Sequence, residues 1–151
     1  MSNQLVMKTL SQHCNTRLIE EESRFSNRNY LFFKIVDLLK LPCKLLGILG
    51  FRPHYIYTNL PSSLLGVLKV VYFLLISRLI LLSKPKVIVH IHRGDFEEFY
   101  ETNILYKKII DLTFKFIHKV IVLSPSQVSF YKERFNVSVE YLHNTVPVDF
   151  K

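Results

Sequence analysis

The sequence predicts an α/β fold, namely a doubly wound, Rossmann-like parallel sheet with helices on both faces. Segments of strand character and segments of helix character alternate along the chain, which is the pattern of right-handed βαβ crossovers. Residues 87–91 are almost all aliphatic and rich in β-branched side chains, which suits a strand buried on both faces of a parallel sheet. With 151 residues, 49% of them hydrophobic, the chain is long enough to bury the core that such a sheet needs.

The first part of the chain is predicted to be mostly helical. Residues 4–12 have a short amphipathic pattern, and residues 16–20 favour a strand. Residues 29–49 form a long apolar stretch of helical character. We expect this stretch to break at Leu41 and Pro42, because proline in a helix interior costs about 3 kcal/mol.

From residue 54 onward, strands and helices alternate regularly. Strands are predicted at residues 54–58, 87–91, 119–123 and 139–142, and helices at residues 64–82, 103–118 and 126–135. No repeat, charge block or flexible linker divides the chain. We therefore expect one domain over residues 1–151.

The apolar segment at residues 64–82 has almost the length of a membrane span. Lys69 and Arg78 interrupt it, and each such charge costs about 2.5–3.5 kcal/mol near the bilayer centre. The Ser63 hydroxyl can cap the N-terminus of the helix, and Pro85 ends it, as in a soluble helix. The preferred interpretation is a helix buried against the sheet, and a location on or in a membrane stays open.

The charge balance favours an anionic partner. Twenty Lys and Arg against twelve Asp and Glu give a formal net charge of +8. These cations are scattered along the chain, so we expect no nucleic-acid partner, while a phospholipid surface or a phosphorylated substrate stays open. No secretory signal pattern opens the chain, and we expect a cytoplasmic protein, with peripheral contact to the inner face of the cell membrane as an open possibility.

Ionisable side chains follow the strand predicted at residues 87–91. His90 and His92 alternate along it and should point to one face, and Arg93, Gly94 and Asp95 form the following turn. The carboxyl ends of parallel strands form the edge where ligands bind in open α/β sheets. Gly94 would allow close approach of the backbone to a ligand or a positive φ. Two histidines can hold a metal only with a third ligand, so we expect substrate contacts and no metal, with structural histidines as the alternative.

Two neighbouring segments could add to this edge. Residues 96–100 combine aromatic side chains with Glu97 and Glu98. This composition suits the binding of sugar or lipid-linked acceptors. The alternative is that these residues are the amphipathic start of the next helix. Ser124 follows the strand at residues 119–123 and precedes a helix. Hydroxyls and N–H groups there can cap the helix or hold an anion.

Three segments together resemble successive landmarks of the amino-terminal domain of family 4 glycosyltransferases, which have the GT-B fold. They are Lys84-Pro-Lys-Val-Ile-Val-His-Ile-His-Arg-Gly-Asp-Phe96, Lys119-Val-Ile-Val-Leu-Ser-Pro-Ser-Gln127 and Val139-Glu-Tyr-Leu-His-Asn-Thr-Val-Pro147. Residues 96–100 further resemble the bacterial members that build capsular or other surface polysaccharides.

The resemblance implies two facing Rossmann-like domains. The amino-terminal domain receives a sugar or lipid-linked acceptor, and the carboxyl-terminal domain binds a nucleotide-sugar donor. The anomeric configuration is retained without an obligatory metal, and no other cofactor is expected. The strand-end histidine of the family falls on His92, the expected catalytic residue, with Gly94 in the turn and Asn144 at the last strand.

The remaining roles that we expect are contacts to the sugars. His92 and Arg93 would position the acceptor or the transferred sugar, and Asp95 and Glu98 would bind sugar hydroxyls. His90, Gly94, Ser124 and Asn144 complete the expected substrate-binding set.

The opening strand and the donor domain of the family are not found in these 151 residues. We therefore expect an acceptor-domain fragment that is inactive without a separate donor domain. The alternatives are a non-catalytic membrane- or partner-binding module and an inactive gene fragment.

Overall fold

The computed structural model describes residues 14–16, 30–47, 51–61, 63–81, 84–92, 94–102 and 104–142. By its contacts the chain divides into two compact units, Met1–Lys44 and Leu45–Lys151. The expectation of one domain stays a prediction. The segment predicted at residues 4–12 and most of the strand predicted at residues 16–20 lie outside the described residues.

The first described helix, α1 (Tyr30–Leu46), runs through Pro42. The predicted break at Leu41 and Pro42 is therefore wrong. Leu41 and Leu45 lie one turn apart on either side of the proline, and both are buried. Burial of a leucine side chain is worth about 1.5–3 kcal/mol, so two of them offset the proline penalty.

Four parallel strands form the sheet of the second unit, in the order β1-β2-β3-β4. The strands are β1 (Tyr55–Asn59), β2 (Lys86–Ile91), β3 (Lys119–Val122) and β4 (Ser138–Tyr141). Helices α2 (Leu64–Ile80), α3 (Phe96–Glu101), α4 (Ile104–Phe114) and α5 (Gln127–Phe135) connect them. The fold is α/β with a parallel sheet flanked by helices, consistent with the predicted Rossmann-like class.

The two faces of the sheet differ in burial. On one face Val87, Val89 and Ile91 of β2 are buried, together with Val120 and Val122 of β3. The alternate residues of β2 and β3 on the other face are only partly buried or exposed. The predicted burial of β2 on both faces is therefore correct for one face only. The partly exposed face carries the histidine His90.

The helix α2 begins as the sequence predicts. The Ser63 hydroxyl accepts a hydrogen bond from the Gly66 N–H at 3.2 Å. Pro61 packs so closely on Gly66 that a Cβ there would lie 2.6 Å from the proline ring. Glycine is therefore required at this position of the first turn.

Residues 96–101 form a helix of their own, and α4 starts afresh at Ile104. Phe96 and Tyr100 are buried, whereas Glu97 and Glu98 are exposed. The aromatic half of this motif therefore belongs to the core, and the prediction of an aromatic surface for acceptors is wrong for these two rings. The amphipathic pattern of the alternative interpretation is confirmed, but this helix is not the start of the next one.

The helices α3, α4 and α5 share an aromatic cluster. Phe114 and Phe135 stack with centroids 3.7 Å apart, and Tyr131 packs on Phe96 at 5.3 Å. The Tyr100 hydroxyl donates to Asp111 Oδ1 at 2.7 Å and accepts from Arg134 Nε at 2.8 Å. One buried phenol thus joins all three helices.

Candidate functional site

The candidate site lies at the carboxyl ends of β1 and β2. The parallel register pairs Asn59 with His90 and Tyr57 with Ile88. Side chains of parallel neighbours in register point to the same face, about 4.8 Å apart. Tyr57, Asn59 and His90 therefore share the partly exposed face, next to the edge where α/β sheets bind ligands. The Leu60 N–H donates to the His90 carbonyl at 3.0 Å and fixes β1 against β2 at this point.

A hydrogen bond joins Tyr57 to His90. The phenolic oxygen lies 2.7 Å from His90 Nδ1. Burial raises the pKa of Tyr57, so the phenol keeps its proton. Burial, and then the neighbouring His92, lower the pKa of His90, so its imidazole is neutral near pH 7. We therefore assign Tyr57 as the donor, which places the imidazole proton of His90 on Nε2.

Two polar atoms of this site are buried without a partner in the described part of the chain. They are Nε2 of His90 and Oδ1 of Asn59. The first is a donor in the assigned tautomer and the second is an acceptor. Leaving such groups unpaired costs about 1–3 kcal/mol each, so a ligand that pairs both gains that free energy. A hydroxyl group has the complementary chemistry, because it accepts and donates at once, and it reaches these two buried atoms when the side chains around them move aside.

His92 follows β2 directly and lies against His90. The two rings are 4.0 Å apart between centroids, with an interplanar angle of 33°. This confirms that both histidines point to one face. His92 is exposed, so it is the histidine of the pair that faces solvent.

The turn after His92 is anchored from α5. Gln127 is buried and donates from Nε2 to the Gly94 carbonyl at 3.1 Å. Gly94 does not have a positive φ, so that part of the expectation is wrong. No atom lies within 4 Å of where a Cβ would be, so the backbone at Gly94 is open to close approach.

The other predicted site residues are spread around the edge. Asp95 is the N-cap residue of α3 but makes no capping bond with its side chain, and Glu98 lies on the exposed side of that helix. Ser124 follows β3, and its hydroxyl lies 2.7 Å from the Ser126 hydroxyl. Ser126 does not cap α5 with its side chain, so the expected hydroxyl cap is wrong there. Arg93 and Asn144 lie outside the described residues.

Sequence reasoning missed Tyr57, Asn59 and Gln127 as site residues. The signal for the first two is the alternation Tyr55, Tyr57, Asn59 along β1, which places three polar side chains on one face. That signal becomes specific only once β1 is known to pair with β2 in this register. Gln127 lies one element away and has no local signature.

No group of three or more His, Cys, Asp or Glu side chains that could hold a metal ion occurs within the described ranges. No described helix is long and apolar enough to cross a membrane.

Comparison with known proteins gave no match, whether to family models, to curated protein sequences or to solved structures.

Proposed function

We propose that this chain is the acceptor-side domain of a cytoplasmic, retaining glycosyltransferase that takes its sugar from a nucleotide-sugar donor and acts in surface polysaccharide synthesis. The single observation that carries the proposal is the unpaired donor on His90 and the unpaired acceptor on Asn59, which are neighbours in register. Both lie on one face at the carboxyl edge of the parallel sheet.

This pair of atoms favours a sugar hydroxyl over a phosphate. A fully ionised phosphate can accept from His90 Nε2, but it has no proton to donate to Asn59 Oδ1. A hydroxyl satisfies both atoms. A sugar offers several hydroxyls in fixed geometry, so further groups on this edge can add contacts.

The other expected site residues supply those contacts in our proposal. His92, stacked on His90, positions the acceptor or the transferred sugar together with Arg93. Asp95 and Glu98 accept hydrogen bonds from other sugar hydroxyls, Ser124 adds a hydroxyl after β3, and Asn144 keeps the substrate-binding role expected from the sequence. The nucleotide-sugar binds to a separate donor domain that faces this edge.

Sugar binding by the isolated chain tests the proposal directly. Saturation-transfer NMR against a panel of monosaccharides and short oligosaccharides should detect binding to the wild type. Asn59→Leu and His90→Phe should each weaken that binding at least about tenfold, because each removes one of the buried partners. Tyr55→Phe is the matched control, since Tyr55 is an exposed phenol on the same face of β1. Binding that is absent, or that is equal in all variants, contradicts the proposal.

Transfer activity needs the donor domain. In a reconstituted pair, His92→Ala should lower kcat/KM for transfer about a hundredfold, within the range for one positioned catalytic group. An unchanged rate contradicts the catalytic role of His92, while sugar binding by the wild-type chain would remain a separate result.

A further inference from the structure

The outward side of α2 is a leucine stripe. Its exposed leucines have between 38% and 77% of their surface accessible. They are Leu64, Leu65, Leu68, Leu75 and Leu79. The side chains that α2 buries lie on the adjoining side of the helix, so apolar residues cover most of its circumference, interrupted by Lys69 and Arg78. A helix of this kind is normally covered on every side, by protein or by lipid.

The stripe continues onto α4. These two helices pack against each other, and Arg78 of α2 lies over the Phe116 ring, just beyond α4, at 5.0 Å. Leu105 and Leu112 are seven residues apart and therefore lie on one face of α4, and Leu112 precedes Phe116 by four residues. Both are exposed. We call the following exposed residues the leucine surface: Leu65, Leu68, Leu75, Leu79, Leu105 and Leu112.

Cations border the leucine surface. Lys69 and Arg78 lie on opposite flanks of the stripe on α2, and Lys108 of α4 and Lys115, just beyond α4, are exposed. The helix α2 contains no acidic residue. The one acidic residue of α4, Asp111, accepts from the buried phenol of Tyr100. The border is therefore positive, in a chain of net charge +8.

This charge pattern selects among the possible occupants. A second copy packed on the surface would bring Lys69 and Arg78 against cations of the same kind, which is unfavourable. An anionic lipid interface suits the pattern, since its acyl boundary takes up the leucines and its headgroups pair with the cations at the rim. Lysine and arginine reach the headgroups easily while their stems lie on apolar surface.

We propose that the leucine surface of α2 and α4 docks the protein on an anionic bilayer, lying in the interface without crossing it. The inference does not depend on glycosyl transfer, because it stands on a different surface from the histidine site. Failure of one proposal would leave the other intact.

Co-sedimentation of the full chain with vesicles tests the inference. The chain should bind vesicles of phosphatidylcholine with phosphatidylglycerol, bind neutral phosphatidylcholine vesicles far more weakly, and dissociate as salt increases. Lys108→Gln and Lys115→Gln should each weaken binding about fivefold, the effect expected for one basic residue near an anionic surface. Leu75→Gln combined with Leu79→Gln should weaken it more than tenfold.

Two controls match these variants. Lys132→Gln removes an exposed cation of α5, and Leu142→Gln removes an exposed leucine after β4. Both should bind vesicles as the wild type does, and circular dichroism should be the same for all variants.

Three outcomes would overturn the inference. The first is no binding to anionic vesicles, and the second is equal loss in the control variants. The third is a dimer in sedimentation velocity that Leu75→Gln with Leu79→Gln dissociates, which would make a second copy the occupant of the surface.

Discussion

The buried phenols Tyr100 and Tyr131 make a matched pair for testing the packing of the helical layer. Both are fully buried in the same aromatic cluster. The Tyr100 hydroxyl donates to Asp111 and accepts from Arg134, whereas the Tyr131 hydroxyl is buried without a partner in the described part of the chain. Burial also raises the pKa of Tyr131 well above its usual range, so this hydroxyl stays protonated.

Removing each hydroxyl should therefore have opposite effects. Tyr100→Phe loses a hydrogen bond to a charged acceptor, worth about 1.5–3 kcal/mol of unfolding free energy. Arg134 is exposed, so water replaces the Tyr100 hydroxyl as its partner, and the loss of that second hydrogen bond adds little to the destabilisation. Tyr131→Phe removes an unpaired polar group from the core and should stabilise the protein by about 1 kcal/mol.

Urea unfolding followed by circular dichroism measures both changes. The midpoints should move in opposite directions without a change in slope, because neither substitution alters the surface exposed on unfolding by much. Equal destabilisation by Tyr100→Phe and Tyr131→Phe would refute the reasoning, since it would mean that the hydroxyls have equivalent surroundings.

Three further predictions concern the site and its supports. Gly66→Ala should destabilise the protein by about 1–3 kcal/mol in urea unfolding, despite the better helix propensity of alanine, because its Cβ would meet Pro61 at 2.6 Å; an unchanged midpoint would contradict this contact. Because burial lowers the pKa of His90 below its ordinary value of 6.5, the unfolded chain binds more protons than the folded one as the pH falls below that value. The wild type should lose more stability than His90→Gln between pH 7.5 and pH 5, as measured by urea midpoints, and equal losses would count against a buried neutral imidazole. Gln127→Ala should release the Gly94 carbonyl and speed amide hydrogen exchange in the turn after β2, while β1 and β3 keep their protection; an unchanged turn would show that Gln127 does not anchor it.

The fold could be predicted because each element has its own local signal. The aliphatic runs at β2 and β3 and the Ser63 cap of α2 are visible in the sequence without any tertiary contact. The continuation of α1 through Pro42 was not predicted. The penalty of the proline is visible in the local sequence, whereas the burial of Leu41 and Leu45 that offsets it depends on tertiary packing. The separation of α3 from α4 was missed because Phe96 and Tyr100 have the same amphipathic spacing in one helix or in two.

The site could be predicted only along one strand. His90 and His92 follow from the alternation of β2, and their contact confirms it. Tyr57 and Asn59 lie on a strand that is distant in sequence, and only the register of β1 against β2 brings them to His90. Non-local partners of this kind leave no pattern in a single sequence.

In the proposed site, the unpaired donor of His90 and the unpaired acceptor of Asn59 pair with a sugar hydroxyl. Long-range proton–nitrogen NMR of the histidine side chains tests it most directly, because it reports which imidazole nitrogen carries the proton. We expect His90 to be neutral at pH 7 with the proton on Nε2, and we expect a bound sugar to shift this resonance equally in the wild type and in Tyr55→Phe. A proton on Nδ1, or an Nε2 resonance that no sugar of the panel moves, would contradict it.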